Sequence, residues 1–235
     1  MIPSRKLFQA ELPRLFRLLC FALACFANVS GAAPPLGSAA PPNNSKWLAE
    51  LLGNAGTQLT AYPGNLGWQT DHPASYPLPF VLVGTRPAGD VPVGGTSIRG
   101  KRRGEGDWVI SDGSGAIWVT GLSAPEPGKP VVLIGQFTTD GALALRGIRF
   151  LVPASLKGKT IARTGDFIYF PLSANKGTAI PVEIDGGAVE LAFSDERDAL
   201  IVRAVKAGEA RLRFFALGFM EEKPVLRGER TIVVK

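Results

Sequence analysis

The chain has 235 residues, of which 28 are glycine and 19 proline, and it carries a formal net charge of +6. This length allows one large or two small domains, and the near absence of helical periodicity predicts an all-β protein. One histidine and two cysteines leave too few ligands for zinc or haem sites.

The first 32 residues have the features of a targeting segment. Positive charge before its apolar run comes from Arg5, Lys6, Arg14 and Arg17. The apolar run over residues 18–29 is too short for an ordinary transmembrane helix. Small residues at 30–32 predict signal-peptidase cleavage before Ala33. A second interpretation is a degraded lipobox with lipidation at Cys25. Both predict an exported protein of the periplasm or cell surface, without a transmembrane span in the mature chain.

Removing this segment changes the charge and the cysteine content. It holds four basic residues and one acidic residue, so the mature chain keeps 22 Lys and Arg against 19 Asp and Glu. A net charge of +3 is a weak footprint for nucleic-acid binding. Both cysteines, Cys20 and Cys25, also lie in the segment, which predicts no disulfide and no thiolate metal site in the mature domains.

Residues 33–45 are rich in Pro and Ala and are predicted to form a linker. Ser45 is a suitable N-cap for a short helix over residues 46–52, which must dock because a lone helix of that length is unstable. The rest of the 46–95 region is predicted to be an irregular covering segment. His72 lies there without a Cys or His partner, which is typical of a surface histidine rather than of a metal ligand or general base. A strand over residues 80–83 is predicted without assignment to a sheet.

Residues 108–121 carry two apolar runs around Asp112-Gly-Ser-Gly115, a pattern that predicts a β-hairpin with a four-residue loop. That register pairs Trp108 with Val119 and Val109 with Trp118. Since side chains alternate between faces, one face carries the core residues Trp108, Ile110, Ile117 and Val119. The other carries Val109, Ser111, Ala116 and Trp118. A slip of one residue would exchange the two faces.

Residues 96–153 contain five predicted strands joined by short turns. The strands are 96–103, 107–111, 116–120, 130–137 and 143–152. Gly95-Thr-Ser-Ile-Arg-Gly100, the hairpin, Gly128-Lys-Pro-Val-Val-Leu-Ile-Gly135 and Leu143-Ala-Leu-Arg-Gly-Ile together resemble an OB-fold, similar to nucleic-acid-binding OB domains and to the exported bacterial OB-fold family. The resemblance implies a five-stranded OB-type barrel and leaves its ligand open.

Residues 158–235, after a linker-like stretch at 154–159, are predicted to form a C-terminal sandwich. The predicted strands are 167–172, 180–184, 189–193, 199–205, 210–215 and 231–234. The run Leu200-Ile-Val-Arg-Ala-Val-Lys-Ala-Gly-Glu-Ala-Arg-Leu-Arg-Phe resembles the late hairpin of bacterial Ig-like domains. That resemblance implies an Ig-like β-sandwich and supplies no catalytic residues.

The sequence offers no catalytic site, no metal site and no cofactor motif. A nucleophilic triad needs a base beside a Ser or Cys, and only His72 is present. A lone carboxylate, Asp112, is too little for calcium, so a turn is the simpler interpretation of its loop. The acidic run at 195–198 is interpreted as a solvated connection. These observations predict a protein that is not an enzyme.

One cluster points to ligand binding on the predicted barrel. Its members are Arg99, Lys101, Arg103, Val109 and Trp118, with Arg102 beside them. Cations can follow phosphates while an aromatic ring stacks on bases. The alternative is that basic residues protect an edge strand from pairing with other chains, and that the C-terminal domain or the aromatic covering segment buries Trp118. Glu105 and Asp107 dilute the positive charge, and the alternative is favoured.

Three functions follow as expectations. The first is a non-enzymatic exported envelope protein that binds or scaffolds an unknown envelope protein or ligand. The second is extracytoplasmic binding of single-stranded nucleic acid by the barrel face. The third is an accessory module of a surface or secretion assembly.

Overall fold

Strands dominate the structure, as the short apolar runs between turn residues predict. The computed structural model describes residues 45–61, 65–94, 100–138, 143–172, 181–195, 198–216 and 224–235. The helices there are α1 (Ser45–Leu52) and α2 (Leu66–Asp71), with short 3-10 turns at Gly53–Ala55 and Pro73–Ser75. The strands are β1 (Phe80–Thr85), β2 (Trp108–Ser111), β3 (Ala116–Thr120), β4 (Pro130–Thr138), β5 (Ala144–Pro153), β6 (Gly158–Ala162), β7 (Phe167–Pro171), β8 (Val182–Asp185), β9 (Val189–Asp195), β10 (Ala199–Ala204), β11 (Gly208–Ala216) and β12 (Val225–Val234).

The first five strands close into a ring. β1 pairs antiparallel with β2 and β4, and the antiparallel pairs β2–β3 and β4–β5 continue on each side. The ring closes where β3 runs parallel to β5, with Val119 opposite Leu145 and Thr120 opposite Arg146. Its interior is filled by Leu66, Phe80, Leu82, Trp108, Ile110, Ile117, Val119, Val131, Leu133, Leu143 and Leu145.

The remaining strands form two sheets that pack face to face. Strands β7, β10 and β9 continue the sheet of the ring through a short parallel pairing of β5 with β7. The facing sheet has the order β6-β12-β11-β8. Apolar side chains from both sheets fill the space between them, and the rings of Phe170 and Phe214 lie 5.3 Å apart there. We call these seven strands the sandwich.

Helix α1 covers the other face of the continuous sheet. Its buried residues Leu48, Leu51 and Leu52 belong to a core that takes residues from β1, β4 and β5 of the ring and from β7, β9 and β10 of the sandwich. Strands such as β4 are therefore buried on both faces, which accounts for the unbroken apolar run Val131–Ile134. All described residues belong to one compact unit.

Several predicted elements agree with the structure and four do not. The helix predicted over residues 46–52 is α1, which begins one residue earlier, at Ser45. The strand predicted over residues 80–83 without assignment to a sheet is β1 of the ring. The strand predicted over residues 96–103 is wrong for residues 100–103, where Gly100 makes only an isolated bridge to Leu143. The stretch at 154–159, interpreted as a linker, already contains the start of β6.

Two further corrections concern helix and strand bounds. The covering segment contains the helix α2, which its glycines and aromatic residues concealed. Strand β12 begins at Val225, several residues before the predicted 231–234, because its first half pairs with β11. The targeting segment, the linker up to residue 44 and Arg99 lie outside the described residues. Within the described ranges, no helix has the length and apolar character that crossing a membrane requires.

Gln69 of α2 is fully buried, and neither Oε1 nor Nε2 of its amide has a hydrogen-bond partner in the described structure. An unsatisfied buried polar group costs about 1–3 kcal/mol. We therefore expect Gln69→Met, which preserves volume, to raise the free energy of unfolding by about 1 kcal/mol in urea titration.

Thr70→Val is the matched control for that substitution. Thr70 is equally buried, but its Oγ1 donates a hydrogen bond to the Gly67 carbonyl at 2.9 Å. Its replacement should lower the free energy of unfolding. A loss of stability in Gln69→Met as well would mean that the amide is hydrogen-bonded in solution.

Candidate functional site

The hairpin has the register that its sequence predicts. Trp108 lies opposite Val119 and Val109 opposite Trp118, joined by the loop from Asp112 to Gly115. The four predicted core residues are buried, while Val109, Ser111 and Trp118 on the other face are half-buried. Ala116 departs from that pattern, because it is buried where Gly94 bridges to it.

Trp118 lies on the outside of the ring, beside the segment that precedes β2. Gly94 N–H donates to the Ala116 carbonyl at 2.8 Å. A Cβ placed on Gly100 would lie 3.6 Å from Cδ1 of Trp118. Gly100 therefore lies beside the indole, and Trp118 is partly buried. Gly100 belongs neither to the aromatic covering segment nor to the C-terminal domain, the two parts expected from the sequence to bury this residue.

The predicted cations Lys101 and Arg103 are exposed near the same part of the ring. The backbone N–H of Lys101 donates to the Leu143 carbonyl at 3.3 Å, and the Arg103 guanidinium lies 3.5 Å from the Thr138 carbonyl. Both contacts are with residues at the start of β5 or the end of β4. The acidic residue Asp107 is already engaged, because its carboxylate accepts from the backbone N–H groups of Arg103 and Gly104.

Arg146 belongs to this surface and was not identified from the sequence. It is exposed on β5, where it lies opposite Thr120 of β3 and donates to Gln136 Oε1 at 3.0 Å. Thr120 is two residues from Trp118, so the same strand face carries both. We define the outer face as Val109, Trp118, Thr120, Gln136 and Arg146. The signal in the sequence was the alternation of side chains in Leu143-Ala-Leu-Arg-Gly-Ile. Because Leu145 points into the ring, the next residue, Arg146, points to the outer face.

The Asp112-Gly-Ser-Gly115 loop does more than turn the chain. Asp112 Oδ2 accepts from Leu66 N–H at 2.8 Å, and Ser114 Oγ accepts from Gly67 N–H at 3.2 Å. The loop thus caps the start of α2, whose Leu66 fills the ring interior. The other carboxylate oxygen of Asp112 accepts from the N–H groups of Ser114 and Gly115. These donors support the interpretation as a structural turn rather than a calcium site.

His72 lies at the end of α2 and stacks on Trp68. The two ring centroids are 3.9 Å apart, and His72 Nδ1 lies 2.9 Å from the Trp68 carbonyl oxygen. Trp68 is 58% exposed, so this pair is a surface feature. In the part of the chain that the structure describes, no three His, Cys, Asp or Glu residues are grouped as metal ligands would be.

Two perturbed groups lie away from the outer face. Burial, with a smaller contribution from Asp198, raises the pKa of Tyr169 to about 12. Desolvation lowers the pKa of Arg230 from its ordinary value. Arg230 donates to Thr160 Oγ1 at 2.8 Å and joins β12 to β6, which makes it a structural residue.

Comparison with known proteins gives weak similarities only. No protein-family model and no curated protein matches the sequence. Among solved structures, the chain is similar to a cysteine protease inhibitor from Entamoeba histolytica, at 16% identity and TM-score 0.31 over 36% of this chain and 95% of the inhibitor. It is also similar to Amebosin, at 9% identity and TM-score 0.23 over 36% of this chain and 98% of that one.

A third similarity is to the inclusion body protein PixA from Burkholderia cenocepacia, at 16% identity and TM-score 0.19 over 49% of this chain and 82% of that one. Similarity at this level determines neither the fold nor the function of the chain. The outer face must therefore be interpreted from its own residues.

Proposed function

We propose that the protein is a non-enzymatic, exported module that binds or scaffolds another component of the bacterial envelope. The targeting segment supports export. The closed ring of five strands supports an OB-type barrel, and the seven strands of the sandwich support an Ig-like domain. The third expected function, an accessory module of a surface or secretion assembly, differs from this proposal only because it requires a larger assembly.

Trp118, which is only partly buried on the outer face, is the observation that carries the proposal. The Trp118 indole is directed outward, so it does not contribute to the apolar interior of the five-stranded ring. The residues that fill that interior come from the opposite face of the strands. Tryptophan is enriched among the few residues that dominate binding energies. On the same side of the ring, Arg146 and Lys101 supply positive charge, and Gln136 holds the Arg146 guanidinium while its Nε2 donates to the Pro77 carbonyl.

A ligand-capture experiment tests this proposal. The mature chain, residues 33–235, is immobilised and exposed to solubilised envelope fractions beside its Trp118→Ala and Trp68→Ala variants. We expect one component to be retained by the unmodified chain and by Trp68→Ala and to be lost with Trp118→Ala. Equal retention by all three would contradict a binding role of the outer face, and turnover on a broad substrate panel that an outer-face substitution abolishes would contradict the non-enzymatic assignment.

Single-stranded nucleic acid is the second candidate, and Arg146 favours it specifically. Its guanidinium lies on the same strand face as Trp118, so a phosphate and a stacked base could be bound together. Phosphate contacts make the affinity fall steeply with salt, whereas stacking changes little. The two contributions can therefore be measured separately.

We expect labelled oligothymidine to bind more weakly at 200 mM than at 50 mM NaCl if this second candidate is correct. Trp118→Ala should then weaken binding by about 5- to 150-fold, since stacking is worth about 1–3 kcal/mol per base. Arg146→Gln should reduce the salt dependence. Arg211→Gln is the matched control, because Arg211 is an exposed arginine of the sandwich that pairs with Glu229. Absent or salt-independent binding would rule this candidate out and leave the first.

A further inference from the structure

The ring and the sandwich are joined directly by few backbone contacts. β5 and β7 run parallel over only two residue pairs, Val152 with Ile168 and Pro153 with Tyr169. One further hydrogen bond follows, from Ala154 N–H to the Tyr169 carbonyl at 2.9 Å. We call these three contacts the seam. A parallel pairing this short is a weak connection between two sets of strands.

Helix α1 crosses the seam and contacts both sides of it through polar side chains. On the ring side, Arg149 of β5 donates from Nη2 to the Glu50 carbonyl at 3.1 Å. On the sandwich side, Glu50 Oε1 accepts from Nε and Nη2 of Arg203 on β10 at 3.0 and 2.7 Å. Glu50 therefore links a ring strand and a sandwich strand through its backbone and its carboxylate respectively.

Aromatic rings and guanidinium groups extend this link. The Arg203 guanidinium lies 5.2 Å from the Trp47 ring centroid and 5.0 Å from that of Phe167, and Arg149 lies 5.1 Å from the Phe167 ring. The indole N–H of Trp47 donates to Glu190 of β9 at 2.6 Å. Cation–π contacts are stronger when the cation is shielded from water, and the Arg203 side chain is only 13% exposed.

We propose that α1 is a brace that holds the ring and the sandwich in one orientation, and that breaking the Glu50–Arg203 pair releases the seam. The apolar residues of α1 alone would favour docking at any angle, because hydrophobic burial is non-directional. The two charge-assisted hydrogen bonds from Nε and Nη2 of Arg203 to Glu50 Oε1 add a directional contact. With the Glu50–Arg203 pair broken, the two parts are still connected by the seam, by the chain at Ala154 and by the apolar core that α1 shares with both sets of strands.

Hydrogen exchange of individual amides tests the brace. In Glu50→Gln, which retains the shape of the side chain and removes its charge, the Ala154 amide should lose protection by about tenfold. The amides of Leu133 in the ring and Leu212 in the sandwich should change by less than about twofold, because each lies within its own core. Arg203→Lys retains the charge and loses the guanidinium geometry, and it should give the same selective pattern.

Glu229→Gln is the control, since Glu229 pairs with Arg211 at 3.6 Å on the exposed face of the sandwich. It should leave all three amides unchanged. An equal loss of protection at Ala154, Leu133 and Leu212 in Glu50→Gln would show that Glu50 affects global stability only and would overturn the brace. Unchanged protection at Ala154 would overturn it as well.

Discussion

Replacing Trp108 with alanine is expected to lower the free energy of unfolding by about 3–5 kcal/mol. The indole is 3% exposed, its Nε1 donates to the Leu122 carbonyl at 2.9 Å, and its ring stacks on Phe150 with centroids 6.1 Å apart. Alanine leaves a cavity in the interior of the five-stranded ring, and the Leu122 carbonyl loses its hydrogen-bond donor. Urea unfolding of the mature chain measures the loss, which is large for a marginally stable protein.

Trp118→Ala is the internal control for this result, because the two residues lie on opposite faces of the same hairpin. Removing the partly buried indole of Trp118 should lower the free energy of unfolding by no more than about 2 kcal/mol. If both variants were equally destabilised, Trp118 would be a structural residue. The aromatic part of the proposed outer face would then be lost, and its one charged residue, Arg146, would remain.

Gly115→Ala is expected to destabilise the protein by about 1–3 kcal/mol, as overpacking does. A Cβ at this position would lie 2.6 Å from the backbone nitrogen of Gly67 and 2.7 Å from its Cα. These are backbone atoms, so the loop and the start of α2 must move apart. The hydrogen bond from Leu66 N–H to Asp112 would be lost with that movement. Urea unfolding, followed by the summed fluorescence of the four tryptophans, measures the stability.

Gly89→Ala provides the matched glycine substitution. A Cβ there would meet no atom within 4 Å, and its φ is not in the left-handed region. The free energy of unfolding should stay within about 0.5 kcal/mol of the unmodified chain. Comparable losses in both variants would mean that the close approach of the loop to α2 is not maintained in solution.

The hairpin shows how far local patterns determine this structure. A period of two in the side chains, together with the turn residues Asp112 to Gly115, fixes the strand register and the two faces. Most strands of the sandwich follow from the same kind of evidence. The outer-face residues Val109 and Trp118 could be predicted because their neighbours within one hairpin determine where they point.

What the sequence by itself determined about this protein is its class, mostly β-sheet, and the faces of its hairpin. Only the tertiary structure decided that the strand starting at Phe80 belongs to the ring, that Arg146 joins the outer face, and that α1 bridges two sets of strands. The physical reason is distance along the chain. Leu66 and Asp112 are 46 positions apart and Glu50 and Arg203 are 153 apart, and neither a local period nor turn chemistry encodes which distant residues meet.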